Sequence, residues 1–291
     1  MSEELEIDKR SLRRAFERAA ATYDRAAVLQ NEVCRRMAAR LDYIKLRPEA
    51  ILDAGSGTGN ALPDLHERYP AARIVALDIA LAMLDRGRRR LPWWKGFVGR
   101  GVQSVCGDIE RLPFAEAAFG MVWSNLALQW VNDLKRSFSE MRRVLAPGGL
   151  LMFSTFGPDT LRELKEAYRG TDRHTHVNRF IDMHDIGDML VAGGFVDPVM
   201  DMEYFTLTYD DVRQLMRELK AIGASNATRG RAAALSGKAQ LAAVEQHYER
   251  LRRDGRLPAT FEVVYGHAWK PLPRLAPGGR RVIEVKPQTM R

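Results

Sequence analysis

Ile51-Leu52-Asp53-Ala54-Gly55-Ser56-Gly57-Thr58-Gly59 decides the fold of this chain. It reads as a short buried strand that runs directly into three glycines at alternate positions. Glycine tolerates positive φ and has no Cβ, so such a turn lets a nucleotide-like ligand lie against bare backbone. A dinucleotide fingerprint needs glycine at the first, third and sixth positions of the turn. Here those positions hold Gly55, Gly57 and Asn60, so the third requirement fails. Outward from this turn, strand-like runs alternate with helix-like segments. The pattern predicts strands near 50–54, 73–78, 102–106, 119–124 and 149–155, with later ones near 199–208 and 261–269. Pro147-Gly148-Gly149 reads as a turn ahead of the fifth. This is the α/β pattern of a mostly parallel central sheet covered on both faces.

The spacing Asp-x-Gly-x-Gly-x-Gly from Asp53 to Gly59 resembles motif I of the class I S-adenosylmethionine-dependent methyltransferases. That resemblance implies a Rossmann-like fold with cofactor contacts from Asp53, Gly55, Ser56, Gly57 and Gly59. The ligand has no pyrophosphate, so acidic side chains matter more than a phosphate cradle. Asp78 ends the second apolar strand 19 residues after Gly59, placed to accept from two ribose hydroxyls. Asp108 ends the third and suits the adenine amine, with Ile79, Met83 and Ile109 as apolar neighbours of the ring. Any one of these acids alone would equally serve as a helix N-cap.

A chain of 291 residues, 46% hydrophobic, is long enough to bury a full α/β core. Two cysteines, Cys34 and Cys106, make neither a disulfide framework nor a thiolate metal site by themselves. His174, His176 and His184 lack an acid at ligand spacing, and no metal is expected. His267 reads as a core residue, and Trp130 and Trp269 as core or pocket wall. The start Met-Ser-Glu-Glu-Leu-Glu is acidic where a signal peptide is basic and apolar, and no run is long enough for a membrane helix. A cytoplasmic protein is expected. The net charge of +8 is uneven: residues 211–258 hold ten Lys/Arg against five Asp/Glu. Such a segment suits an acidic partner or is simply a solvated face. No nucleic-acid module accompanies it.

Further segments carry a narrower resemblance: Tyr23-Asp24 through Gln30, Ser124-Asn125-Leu-Ala-Leu-Gln129-Trp130, Gly157-Pro-Asp-Thr160-Leu-Arg162-Glu-Leu, His176-Val-Asn178-Arg179-Phe, and Tyr265-Gly-His267-Ala-Trp269. Together they resemble the malonyl-acyl carrier protein O-methyltransferases from about Ser11 to Pro271. The resemblance implies methyl transfer from S-adenosylmethionine to the free carboxylate of a carrier-bound malonyl group, the step that opens the pimeloyl arm of biotin synthesis. It implies an N-terminal helical cap (1–48), a cofactor-binding core (49–208), a basic helical lid inserted before the last strand (209–258), and that strand with a tail (259–291). Arg162 and Arg179 are candidates for the malonyl carboxylate. Tyr23 is expected to close over the cofactor and Asn125 to line the transfer mouth. Tyr23 could instead fill a helix face with Phe16 and Ala20, and Asn125 could stabilise a turn. Arg217, Lys220, Arg229 and Arg231 are the expected docking face for acidic malonyl-acyl carrier protein. Two other readings share the cofactor residues: a methyltransferase for another small molecule such as a quinone precursor, and a non-catalytic assembly factor.

Overall fold

Near-continuous apolar runs are what a parallel strand buried on both faces requires, and β1 (Ala50–Ala54) is buried at every residue. The computed structural model describes residues 6–89, 102–171, 177–224, 227–228 and 237–273. With β2 (Arg73–Asp78), β3 (Gln103–Cys106), β4 (Phe119–Ser124), β5 (Leu145–Phe156), β6 (Val196–Tyr209) and β7 (Leu257–Trp269), β1 forms one seven-stranded sheet in the order β3-β2-β1-β4-β5-β7-β6. The first five strands pair in parallel. β7 runs antiparallel between β5 and β6. The strand order reverses between β1 and β4, where open α/β sheets leave a crevice beyond the carboxyl ends of the strands.

β5 corrects one expectation. Pro147-Gly148-Gly149 does not precede the strand but lies within it, bent where the pairing with β4 shifts register between Phe119 and Met121. The bend is possible because Gly148 takes φ +73°.

Alternation across the sheet makes two cores. Ile51, Met121, Trp123 and Met152 pack on one face with α3 (Val28–Arg40) and α4 (Leu62–Arg68). Leu52, Val75, Val122 and Phe153 pack on the other with α6 (Leu134–Val144) and α8 (Met183–Ala192). α7 (Arg162–Tyr168) follows β5, and two helices, α9 (Val212–Ala221) and α10 (Lys238–Glu249), lie between β6 and β7. α10 joins the first core through Val244 and Tyr248, whose hydroxyl donates to the Pro258 carbonyl at 2.8 Å.

The amino-terminal helices α1 (Lys9–Ala19) and α2 (Tyr23–Ala26) border the turn after β1 and the end of β2 through Phe16 and Tyr23. Asp8 caps α1 by accepting from Arg10 N and Ser11 N. The segment before it is stitched to distant chain: Asn132 Oδ1 accepts from Ile7 N at 2.7 Å, and Asp8 N donates to Ala227 O at 2.8 Å. Ile7 also forms a bridge with Thr228. No helix among the described residues is long and apolar enough to cross a membrane.

Gly266 in β7 lies opposite Phe153 of β5, and a Cβ there would stand 2.3 Å from the Phe153 ring. Gly266→Ala is expected to destabilise the fold by about 1–3 kcal/mol through overpacking, measured by urea unfolding. Adding Phe153→Leu should restore part of the loss; two additive losses would show that the ring is not the obstacle.

Candidate active site

The three glycines of the turn after β1 are required for different reasons. Gly55, Gly57 and Gly59 all take positive φ, +82°, +53° and +76°. A Cβ on Gly55 would stand 2.3 Å from Ala127 Cβ, in the loop that follows β4. A Cβ on Gly59 would meet Leu62 Cδ1 at 2.6 Å and Gly87 Cα at 3.2 Å, so this glycine lets α5 (Leu81–Arg88) pack on the turn. Only Gly57 looks onto open space, its nearest neighbour being Tyr23 Cε1 at 4.0 Å. The turn is aimed from β2: Gly55 N and Ser56 N donate to Leu77 O at 2.8 and 2.9 Å, and Gly57 N donates to Asp78 Oδ2 at 2.9 Å.

A cleft with about 1250 Å³ of empty space, partly open to solvent, starts at this turn. Among the residues singled out from sequence, Gly55, Gly57, Asp78, Ile79, Met83, Asp108, Ile109, Tyr23 and Asn125 line it. Asp53 and Ser56 line a small adjoining pocket that shares Gly55, Gly57, Tyr23 and Asn125 with the cleft. Gly59 lines neither, in keeping with its packing role. The far end of the cleft is made by Phe156, Thr160, Leu161, Asn178, Leu219 and Phe261. Leu126 and Leu161, both in this wall, hold left-handed backbone at φ +46° and +55°. Leu126 N donates to Ser154 O and Leu161 N to Thr260 O, which holds each in place.

α1 and α2 roof the cleft. Tyr23 packs with Met83, Ala80 and Ala20, as the helix-face reading expects, and also lines the cleft. Its neighbour Asp24 positions it: Oδ1 accepts from Thr58 Oγ1 at 2.6 Å and Oδ2 from Arg86 Nε at 3.1 Å. Glu17 accepts from Leu81 N and Ala82 N at 2.8 and 3.1 Å, supplying the cap that α5 lacks. Lys9 pairs with Asp108 at 3.1 Å and with Glu110. Asn125 has spent its amide as a strut: Nδ2 donates to the Gln30 carbonyl at 3.1 Å, and Oδ1 accepts from Ser154 Oγ at 2.9 Å. Gln129 similarly braces the Leu126 turn, donating to its carbonyl at 2.7 Å. Two cleft residues that sequence reasoning passed over have polar atoms to spare: Gln30 Oε1 and Asn178 Oδ1 are buried without a hydrogen-bond partner. Both sit inside segments that carried the resemblance, which was the available signal.

Charge is concentrated at the turn. Asp53 is buried, and burial first, then the charge of Asp78, pushes its carboxyl up to about 8. Asp53 Oδ2 has no hydrogen-bond partner. Burial also pushes Asp78 up to about 6, opposed by the N–H groups of Ala80 and Gly57. Among the described residues, no lysine or arginine is among the main influences on either acid. Two acids held this way favour a ligand that brings positive charge and hydrogen-bond donors.

The remaining candidates lie elsewhere. Arg162, expected at the substrate carboxylate, does not line the cleft; it is exposed and pairs with Asp159 at 3.6 Å and Glu163 at 3.5 Å. Leu161, in left-handed backbone at the N-cap of α7, lines the cleft in place of Arg162. Arg179 is exposed on the wall of a second, adjoining cleft. Arg217 and Lys220 are exposed on α9, whose Leu219 reaches the cleft. Arg229, Arg231, His174 and His176 lie outside the described residues. His184 is exposed and bonds to Asp182, while His267 is half-buried in β7, its pKa lowered by burial. Among the described residues no group of His, Cys, Asp or Glu is arranged to hold a metal ion.

Comparison with known proteins narrows the chemistry. The family description "Methyltransferase domain" matches residues 52–153. A malonyl-acyl carrier protein O-methyltransferase of Gallionella capsiferriformans is 58% identical over 283 residues, covering 97% of this chain and 98% of its own. One of the same name from Nitrosospira multiformis is 60% identical over 294 residues, covering 96% of each. Among solved structures, YcgJ of Bacillus subtilis aligns with TM-score 0.57 at 13% identity, over 81% of this chain and 97% of its own. The cyclase SpnF aligns with TM-score 0.51 at 20% identity, over 83% and 82%. At such identities these two show the shared fold alone.

An acid whose folded pKa is raised binds more protons folded than unfolded, so stability falls as pH rises. For Asp53 the window runs from the ordinary 3.8 to about 8. The unliganded wild type should therefore lose stability between pH 4 and pH 8. Asp53→Asn is expected to flatten that dependence and to exceed wild type by roughly 2 kcal/mol at pH 8, read from denaturant midpoints across pH. Parallel pH profiles would show that Asp53 is already ionised in the fold.

Proposed function

The chain belongs to the malonyl-acyl carrier protein O-methyltransferases, S-adenosylmethionine-dependent enzymes, and from that membership and the geometry of the cleft we infer how it methylates the free carboxylate of a carrier-bound malonyl group. The observation that carries this reading is one continuous cleft that joins buried Asp78 and bare Gly57, with buried Asp53 in the small pocket beside them, to a mostly apolar, uncharged far end. The product is the malonyl methyl ester that primes pimeloyl synthesis for biotin.

S-adenosylmethionine, when bound, supplies a methyl group on a positively charged sulfur. The residues present fit it. Each Asp78 oxygen already accepts one backbone N–H and keeps a lone pair for a ribose hydroxyl. Asp53 Oδ2, buried and unpartnered, is suited to the ligand's ammonium end. Asp108 stands for the adenine amine, with Ile79, Met83 and Ile109 as apolar wall.

A malonyl carboxylate is ionised at neutral pH, so no strong general base is required. The chain's task is to align the carboxylate oxygen and exclude water from a weak nucleophile. Tyr23 and Gln30 reach the cleft beside Gly57 and are proposed to orient the carboxylate. Neither Arg162 nor Arg179 lines this cleft, and its described cation, Lys9, is held by Asp108 and Glu110. An uncharged carboxylate site has a physical advantage. A tight cationic clamp would stabilise the ground-state anion more than a transition state in which its charge is being neutralised.

Incubating the protein with S-adenosylmethionine and malonyl-loaded carrier protein should raise the carrier's mass by one methylene. Asp78→Ala is expected to abolish the gain. An unchanged mass, with cofactor binding shown by calorimetry, would sink the reading and favour another substrate or a non-catalytic role.

Carrier docking on α9 is proposed from its exposed cations. Reversing Arg217 and Lys220 to Glu should raise KM for the carrier by roughly fivefold at low salt while sparing kcat, with the difference shrinking as salt is added. An unchanged KM would place docking elsewhere.

A further inference from the structure

A second cleft opens off the first, and methyl transfer itself makes no use of it. It holds about 2270 Å³ of empty space, part of it open to solvent. Gln129, Val131, Phe156, Val177, Asn178 and Phe180 line both clefts, so the two are continuous. Lys165, Arg169 and Arg179 stand in the wall of the second and not of the first.

Among the described residues, the acids of this wall are Asp182 and Asp185. Asp182 caps α8, accepting from His184 N at 2.8 Å and bonding to the His184 ring at 2.9 Å, so part of its capacity is taken. Lys165 donates to Pro158 O at 2.7 Å and lies 5.3 Å from the centre of the Phe180 ring. Arg169 is exposed and pairs with Glu166 at 3.0 Å. Where the clefts meet sits Asn178, only 8% exposed, with its Oδ1 lacking any hydrogen-bond partner. A buried amide oxygen in that state is satisfied by an N–H arriving with a ligand.

We propose that the second cleft receives the phosphopantetheine arm of the carrier-bound substrate, with Asn178 accepting from an amide N–H of the arm and Lys165, Arg169 and Arg179 attracting its phosphate. This rests on the carrier-bound malonyl reading above. With the malonyl carboxylate beside Gly57 and Tyr23, the thioester must leave the first cleft through an opening continuous with it. The arm is thin and largely apolar, carries two amides, and ends in a phosphodiester. Those features match a passage with Phe156, Val177 and Phe180 along it, one unmet acceptor at its inner end and cations on its wall. Arg179 thereby has a role away from the carboxylate.

Two substrates that differ only in the phosphate test the assignment: malonyl-phosphopantetheine and malonyl-pantetheine. Arg169→Glu and Arg179→Glu should each lower kcat/KM for the phosphorylated substrate by about tenfold more than for the other, with cofactor binding by calorimetry showing that each variant folds. Equal losses on both substrates, as an arginine gripping the malonyl carboxylate would give, overturn the proposal. So do variants that behave like wild type on both. A wild type that methylates no malonyl thioester, free or on the carrier, fails the parent reading and removes this one with it. That result is distinct from a wild type that turns over and variants that do not discriminate.

Discussion

The Asp78 carboxylate is buried at the end of β2, yet it accepts from Gly57 N in the glycine turn and from Ala80 N at the start of α5. With Leu77 O accepting from Gly55 N and Ser56 N, three consecutive N–H groups of the turn are fixed by the neighbouring strand rather than by their own. The turn therefore has its shape before any ligand arrives. The arrangement costs stability: two buried acids lie close together, and burial raises both pKa values. A site built to welcome positive charge is least comfortable without it.

The roof depends on the same turn. Asp24 reaches Thr58 beyond Gly57 and Arg86 on α5, Glu17 caps α5, and Lys9 meets Asp108. Opening the roof must therefore disturb the elements that would hold the cofactor, coupling access of one substrate to the grip on the other. The opposite wall is stiffened differently, with Leu126 and Leu161 kept in left-handed backbone by hydrogen bonds to Ser154 and Thr260. Such strain is sustained only where the surroundings over-determine it.

The parallel strands were legible because burial on both faces demands unbroken apolar runs, and β1, β2 and β4 begin and end where those runs do. The glycine turn was legible because positive φ has few sequence solutions. Side-chain roles were not. In the Tyr23-Asp24 pair the carboxylate is the strut and the ring lines the cleft, a division set by contacts with residues far along the chain. In Thr160-Leu161-Arg162 the leucine, in a left-handed backbone that no propensity foretells, lines the cleft while the arginine is exposed. Gln30 and Asn178 carry no charge to attract notice within their segments; their unmet buried oxygens single them out.

Ile7 and Asp8 precede every described helix, yet their partners are Asn132, Ala227 and Thr228. Among the described residues β6 likewise has no strand neighbour but β7, which follows it in the chain. Both closures are contacts of long sequence separation, the kind that form late in folding. A nascent chain halted before residue 228 thus lacks part of the anchor ahead of α1 and has a sheet with a vacant position. Such fragments would expose apolar surface and an unpaired strand edge, making them material for proteases and chaperones rather than partial enzymes.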